Sequence, residues 1–573
     1  MARLERYIRP YWGYIFLTVL IKLLGAALEL LIPFLMEIIL DLKVPSGNLP
    51  DIFRFGGLMV LCAGGCLGCN ILANRMSAVS SGRITQSIRH DLFRKLQHLS
   101  ARQMDSLTVS SAESRLTSDT YNVNQLLARI QRLGIRAPIL LVGGVAMMLS
   151  MDAMLALVLI GLLPIIAITV YFVTKTSIPL YTKQQHVLDG VVRTVQENIT
   201  GIRVIKALSK TEYEKQRFHK VNRELTGVDM KAGMITAITN PVATLTLNLG
   251  LTFVVVIGAY RVNSGDILSG VIVAFLQYFT MILNAMLGIT RIFVMWSKGA
   301  ASANRVADVL AMDADLPVLP PARAEAHAPH IEFRDVSFSY TGIGKNIDSL
   351  SFRLEHGQTL GILGPTGSGK TTILNLLLRL YDPDSGTVLI DGQDIRTIPD
   401  EVLRQKMGVV FQNDFLAEGT IADNIRFFRD ISEDSLVRSS ADAQAEFIEE
   451  KEGGMNAQVM VRGNNLSGGQ KQRLLIARAL AANPEILILD DASSALDYQT
   501  DANLRRALRQ NYRSTTTVLV AQRVSSLRHA DLILVMNEGQ VIGAGNHSQL
   551  METCEEYRII AETQMGAESG VAV

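Results

Sequence analysis

Six apolar segments, each near the ~20 residues that a membrane-spanning helix requires, fill the first half of this chain. Their cores run Tyr14–Leu40, Phe53–Asn74, Gly134–Met151, Ala153–Val173, Ala243–Tyr260 and Ile267–Met286. An even number of spans returns the chain to its starting side. The connections after the first, third and fifth segments are short and poor in Lys and Arg, as in Ser150–Asp152 and Asn263–Asp266. Those after the second and fourth are long and basic, with Arg75, Arg83, Arg89, Arg94 and Lys95 in one and Lys175, Lys183, Arg193, Arg203 and Lys206 in the other. Positive charge stays on the cytoplasmic side, so the long connections and both termini are expected there. The basic start (Arg3, Arg6, Arg9) leads into an apolar run too long for a signal peptide and interrupted by Lys22, Glu29 and Glu37.

The long connections keep helical periodicity, notably over Gln86–Leu99 and Leu188–Leu208. The spanning helices should therefore continue into the cytoplasm and turn at short tips near Ala101–Ser111 and Ser209–Tyr213, where they could dock on a soluble domain. Charges at membrane depth are expensive and face protein or water. Lys22 and Glu29 fall on nearly one helical face. Glu29 is the candidate for a substrate cavity, whereas Lys22 and Glu37 fit structural pairing or snorkelling. Cys62, Cys66 and Cys69 share a helical face and could bind a soft metal. Their setting, LCAGGCLGCN, is better explained by small residues that let membrane helices pack closely.

Composition narrows the rest. Lys and Arg total 55 against 54 Asp and Glu, which excludes a nucleic-acid binder working through bulk charge. The mean hydropathy of +0.24 reflects the first half, since the chain alternates like a globular domain from about His330 onward. The four cysteines form no disulfide pattern, consistent with a reducing cytoplasm around the soluble part. The Pro- and Ala-rich stretch Leu316–Pro329 reads as a linker. It divides the sequence into a membrane domain (1–315), a linker (316–329) and a soluble domain (330–566).

In the soluble domain Ile331–Tyr340 alternates like a strand, and the predicted strand Thr359–Leu363 runs into Gly364-Pro-Thr366-Gly367-Ser368-Gly369-Lys370-Thr371-Thr372. This is the full phosphate-binding loop pattern between a strand and an apolar helix. Its glycines let backbone N–H groups wrap phosphates, Lys370 reaches the terminal phosphates, and Thr371 offers a hydroxyl to Mg²⁺. The buried-strand run Ile486–Leu489 ends in Asp490 and Asp491, with Asp490 placed to hold Mg²⁺. Between these lies Leu466-Ser467-Gly468-Gly469-Gln470, whose glycines at a helix start give further N–H donors for phosphate.

Phosphate loop, LSGGQ and a hydrophobic strand closed by Asp, in that order, resemble the ATPase of ABC transporters, and the resemblance extends over nearly the whole chain. It implies a multidomain fold: an all-α six-helix transmembrane domain with long cytoplasmic helix extensions, then an α/β P-loop NTPase cassette with a helical subdomain. It implies ATP and Mg²⁺, with Tyr340 stacking on adenine and Gln412 touching Mg²⁺ beside Thr371 and Asp490. Ser494-Ala495-Leu496-Asp497 resembles the loop joining two cassettes. Ser110–Asp119 and Glu197–Phe218 resemble the intracellular segments of six-helix exporters, whose second tip docks on the partner's cassette. Two head-to-tail cassettes would share each ATP between one chain's phosphate loop and the other's LSGGQ.

Three positions depart from the family pattern. Asp491 stands where the family usually has a catalytic Glu, Gln522 where it has His, and Val461 where exporters often have Glu ahead of the signature. Asp is one methylene shorter, and misplacement on the order of 1 Å can cost about 100-fold. Gln cannot be charged as His can. The expectation is one half of a heterodimeric exporter in the cytoplasmic membrane, with a degenerate site of its own and hydrolysis at the site shared with its partner. The substrate expected is hydrophobic or amphipathic: a drug, lipid or peptide. No peptidase domain precedes the first span, so leader-peptide processing is not expected. The alternatives are a regulatory membrane subunit that gates a partner without pumping, and a self-sufficient homodimer.

Overall fold

The computed structural model describes residues 4–313, 315–320, 327–412 and 415–568, so part of the expected linker lies outside the described residues. The chain folds as two compact units, Met1–Gln97 with Ser110–Met312, and His98–Val109 with Asp313–Val573.

The first unit is all helix. Among the described residues, six helical segments are long and apolar enough to cross a membrane: Glu5–Lys43, Leu49–Gln97, Val109–Met151, Ala153–Thr200, Thr211–Asn263 and Ser269–Met286. The second covers 49 residues, about 74 Å at 1.5 Å per residue, against a hydrocarbon core of about 30 Å. The excess length is the cytoplasmic extension read from its basic, periodic second half. The packed core gathers Leu30, Leu140, Phe275, Tyr278, Phe279 and Ile282. Small residues set the closest approaches. A Cβ on Gly25 would lie 3.0 Å from Cys69 Cβ, so the cysteine-bearing face packs against the first span as expected.

The partners of the charges in this unit come from other helices. Lys22 does not meet Glu29; its Nζ donates to Asn70 Oδ1 (2.7 Å) and Asn74 Oδ1 (3.1 Å). Glu29 instead accepts two bonds from Arg136, from Nε at 3.1 Å and from the terminal nitrogen at 2.6 Å. Helical projection sees only neighbours on one helix, and both partners come from others. Glu37 keeps one buried carboxylate oxygen without a hydrogen-bond partner among the described residues.

The second unit is α/β. A four-stranded antiparallel sheet contains Ile331–Phe338 between Ile347–Leu354 and Ser385–Ile390. A six-stranded sheet places Thr359–Leu363 between the parallel strands Leu532–Asn537 and Thr516–Val520, with Ile486–Asp490 beyond. Ile486–Asp490 is buried along its whole length, which is why it reads as a continuous apolar run rather than an alternating one. A helical region, including Ile421–Arg426, Glu433–Asp442 and Gly468–Leu480, packs around Ile425, Leu436, Leu474 and Ile476 in a core that also takes in Leu487 and Leu489 of the strand Ile486–Asp490.

The short helix Ala101–Leu107 belongs to this unit. Ser100 caps it in a reciprocal box with Gln103. Ala101 packs on the core of the antiparallel sheet, and Tyr381 donates to Asp105 at 2.5 Å. The first expected tip is therefore docked. The second, in the first unit, turns after the helix Ile202–Ala207 at Ser209, whose φ is 53°. It leaves Val204, Leu208 and Tyr213 more than 60% exposed.

Candidate functional site

The strand Thr359–Leu363 delivers the phosphate loop to the C-terminal edge of the parallel sheet, and the helix Lys370–Leu377 leaves from it. The loop needs its glycines. Gly369 has φ 102°, and a Cβ there would lie 2.8 Å from the Asn346 carbonyl; at Gly364 a Cβ would lie 2.3 Å from the Met536 carbonyl. Lys370 Nζ lies across the loop and donates to the carbonyls of Gly364 (2.8 Å) and Pro365 (2.7 Å). Ser368 Oγ is buried without a partner among the described residues.

The strand Ile486–Asp490, separated from Thr359–Leu363 by Thr516–Val520, brings Asp490 to the first residues of that helix. Thr371 Oγ1 donates to Asp490 Oδ2 at 3.2 Å. Asp491, one residue on, is held in a left-handed conformation (φ 50°). Its Oδ2 accepts from Gln522 Nε2 at 3.1 Å and from Gln412 Nε2 at 3.5 Å. Burial raises both carboxyls above their ordinary range and lowers Lys370 below its own. These opposed shifts come from one cause: the groups share a partly desolvated cleft.

That cleft, of about 280 Å³, is lined by Tyr340, Thr366, Gly367, Gly369, Lys370, Thr371, Thr372, Gln412, Asp490, Asp491 and Gln522. The expected residues thus converge from distant parts of the chain. Tyr340 stands at one wall; its hydroxyl accepts from Asn375 at 2.9 Å, and its ring meets Tyr381 edge-on. A phosphate placed among the loop N–H groups would have Lys370 beside it. A hydroxyl at Thr371, an amide at Gln412 and a carboxylate at Asp490 offer the hard oxygen donors that suit Mg²⁺.

The signature residues sit elsewhere. Among the described residues, none of Leu466–Gln470 lines this cleft. Ser467 is the N-cap of the helix Gly468–Leu480, accepting from Gln470 N while Gln470 Oε1 accepts from Ser467 N. Gln472, which sequence reasoning passed over, ties this helix to the loop Ser494–Asp497. Its Nε2 donates to Ser494 Oγ (3.0 Å), and its Oε1 accepts from Ala495 N (2.9 Å). Asp497 caps the following helix through Thr500 N at 2.9 Å. A Gln two residues beyond LSGGQ carries no local signal for bonds to a loop 22 and 23 residues later; only the fold brings them together.

Comparison with known proteins agrees with this geometry. The family described as the ABC transporter transmembrane region matches residues 15–286, and that described as ABC transporter matches residues 347–494. The chain is 32% identical over 574 residues, 98% of each chain, to an uncharacterized ABC transporter ATP-binding protein of Mycobacterium tuberculosis. It is 33% identical over 469 residues to a fatty acid ABC transporter ATP-binding/permease protein of Mycobacterium bovis, covering 81% of this chain and 74% of that one. Among solved structures, a bacterial Atm1-family ABC exporter with ATP bound aligns with a TM-score of 0.81 at 24% identity, covering 97% of this chain and 98% of that one.

Proposed function

Because the chain belongs to the ABC transporter family, as an exporter-type half with its membrane region fused to an ATP-binding cassette, we propose that it is the weakly hydrolysing subunit of a heterodimeric exporter. The cassette binds ATP and couples its hydrolysis to transport across the cell membrane, with the cassette on the cytoplasmic side. Two cassettes act together.

The observation that carries the finer reading is the state of Asp491. A catalytic carboxylate must reach and orient the attacking water. Here the shorter side chain is engaged by the amides of Gln522 and Gln412, and Gln522 has no titratable proton to exchange with a γ-phosphate. Every binding element is meanwhile present. In this reading Lys370 and the loop glycines bind ATP, Tyr340 packs on its base, and Thr371, Gln412 and Asp490 would hold Mg²⁺, which neutralises charge on the transferring phosphoryl group. Leu466–Gln470 complete the partner's ATP site, and Ser494–Asp497 join the cassettes. The separation of the signature from the chain's own cleft supports sharing of this kind. So does the second tip, whose exposed Val204, Leu208 and Tyr213 suit a partner's cassette. The boundaries we assign remain 1–315, 316–329 and 330–566.

The cargo we propose is hydrophobic or amphipathic. The Glu29–Arg136 pair keeps 20% and 38% of its side chains exposed. Charged groups at membrane depth avoid lipid, so this pair is assigned to a water-filled cavity or a partner surface.

ATPase rates of the chain alone and with a similar half carrying Glu and His at the matching positions test the reading. Slow turnover alone and fast turnover in the pair are expected. Fast turnover alone points to a self-sufficient homodimer. Fast paired turnover without ATP-driven uptake into inside-out vesicles points to a regulatory subunit.

A further inference from the structure

At the edge of the cassette opposite the phosphate loop, His330, His356 and Asp391 come together, each offering a ligand atom within 4.8 Å of the others. His330 precedes the first strand, His356 lies in the turn before Thr359–Leu363, and Asp391 sits in a hairpin turn. That turn is Asp391-Gly392, with φ of 51° and 70°, the two-residue type that positive φ at both positions defines. The carboxylate is thus held on a rigid support.

One nitrogen of the cluster is buried without a partner. The Thr516 hydroxyl accepts from Gly357 N (3.0 Å) and lies 2.6 Å from His330 Nδ1. In the tautomer that carries its proton on Nδ1, this contact is a bond donated to Thr516 and Nε2 is left as an acceptor. His330 Nε2 is buried without a hydrogen-bond partner among the described residues, on a side chain that is 0% exposed. A metal-ligating histidine has this arrangement: one nitrogen donates to a fixed oxygen, and the other is bare. His356 Nε2 and Asp391 Oδ1 are 2.9 Å apart, a hydrogen-bond separation, and need to part by only about 0.5 Å to share a tetrahedral ion whose bonds are about 2.1 Å.

We propose that His330, His356 and Asp391 bind one transition-metal dication, Zn²⁺ by its preference for imidazole and carboxylate. The imidazole rings are now stacked, 3.8 Å apart and 12° from parallel. Coordination lies in the ring plane, so His356, 62% exposed, tilts out of the stack as the ion enters. Lys406 is the resident competitor. Its Nζ lies 3.3 Å from Asp391 Oδ2 and 2.8 Å from Glu485 Oε2. The bound ion would pin the first strand and two turns of the antiparallel sheet without touching the ATP cleft.

The test is titration of the purified full-length chain, free of a polyhistidine tag and of nucleotide, with Zn²⁺, and with Co²⁺ for its spectrum. One equivalent should bind with a d–d spectrum free of thiolate charge transfer and should raise the unfolding temperature. His356→Ala and Asp391→Asn should each weaken binding by about tenfold or more. Asn-Gly preserves the turn, so loss in Asp391→Asn is not misfolding. Lys406→Met should tighten binding by removing the competing cation, a gain that a merely structural role of these residues does not give. Asp490→Asn and the combined Cys62→Ser, Cys66→Ser, Cys69→Ser change should leave it unaltered. Absence of stoichiometric binding, thiolate bands, or unchanged affinity in His356→Ala or in Lys406→Met overturns the proposal.

Discussion

The cassette presents two nucleotide-facing edges, and they are built to different standards. At the signature edge, Ser467 and Gln470 close a reciprocal cap, and Gln472 fixes the helix to the loop Ser494–Asp497 by two further bonds. A Cβ added to Gly469 would come within 3.1 Å of the Ala495 carbonyl, a tight approach that the loop would have to relax to admit. At the phosphate-loop edge the binding residues are equally well placed, yet Asp491 is left-handed, partly desolvated and engaged by two amides. The difference separates holding ATP from hydrolysing it. Holding requires N–H donors, a cation and an aromatic wall, all kept at both edges as far as each needs them. Hydrolysis requires a carboxylate of the right reach, and in the proposed reading the shorter Asp491, with Oδ2 taken by two amides, is what this edge lacks.

The largest expected effect is at the signature edge. Ser467→Arg puts a bulky cation over the helix start and blocks its N–H donors. Steady-state ATPase of the assembled pair should fall by about 100-fold or more, as for loss of aligned N–H donors elsewhere. Ser467→Ala is the control: it removes the cap, at about 1 kcal/mol of stability, but leaves the donors open. If both variants lose activity equally, helix fraying and not the blocked donors is responsible.

Next comes Lys370→Ala. Its ammonium is the only side-chain cation among the residues lining the cleft, and a charge-assisted bond is worth about 1.5–3 kcal/mol. ATP binding at this edge, read by a fluorescent nucleotide, should weaken by about tenfold or more. Transport should slow, yet more hydrolysis should survive than in Ser467→Arg. A Lys370 variant as inactive as Ser467→Arg would put both edges on one footing.

Gln472→Ala sharpens the comparison from inside the signature edge. It removes both bonds to the loop 494–497, and at about 1 kcal/mol in the transition state hydrolysis should drop about fivefold. Unchanged turnover would show that the two elements hold register without Gln472.

These differences were unequally legible in the sequence. The phosphate loop, the strand Thr359–Leu363 and the six spans are contiguous, and their signals are local: glycine spacing, unbroken apolar runs and basic connections. Asp491 and Gln522 stood out only as departures from a family pattern. That their side chains bond each other needed the parallel pairing of Ile486–Asp490 with Thr516–Val520. Glu29 was read as a candidate for a substrate cavity with no partner named, because its partner, Arg136, arrives on the third span. The His330, His356 and Asp391 cluster carries no motif, since its three residues come from a strand start and two turns that only the sheet assembles. The first tip was expected to dock, but Tyr381 and Asp105 could not be matched from periodicity alone.

The smallest effect is expected at Asp491, and its sign is informative. Burial lifts the Asp491 carboxyl above the ordinary carboxylate range in the folded chain. The folded state therefore binds a proton more readily than the unfolded one. Between the ordinary pKa and the raised one, stability falls as pH rises, and the cost persists at neutral pH. Asp491→Asn removes that cost, and its amide oxygen can still accept from Gln522. The nucleotide-free variant should thus melt at the same temperature as the parent or slightly above it at pH 7, and the gap should close on acidification. Hydrolysis by the pair should stay within about threefold of the parent, less than 1 kcal/mol of barrier. Restoring both groups, with Asp491→Glu and Gln522→His, should instead raise ATPase. A pair silenced by Asp491→Asn as fully as by Ser467→Arg would make Asp491 a working catalytic carboxylate. The two edges would then differ in geometry but not in function.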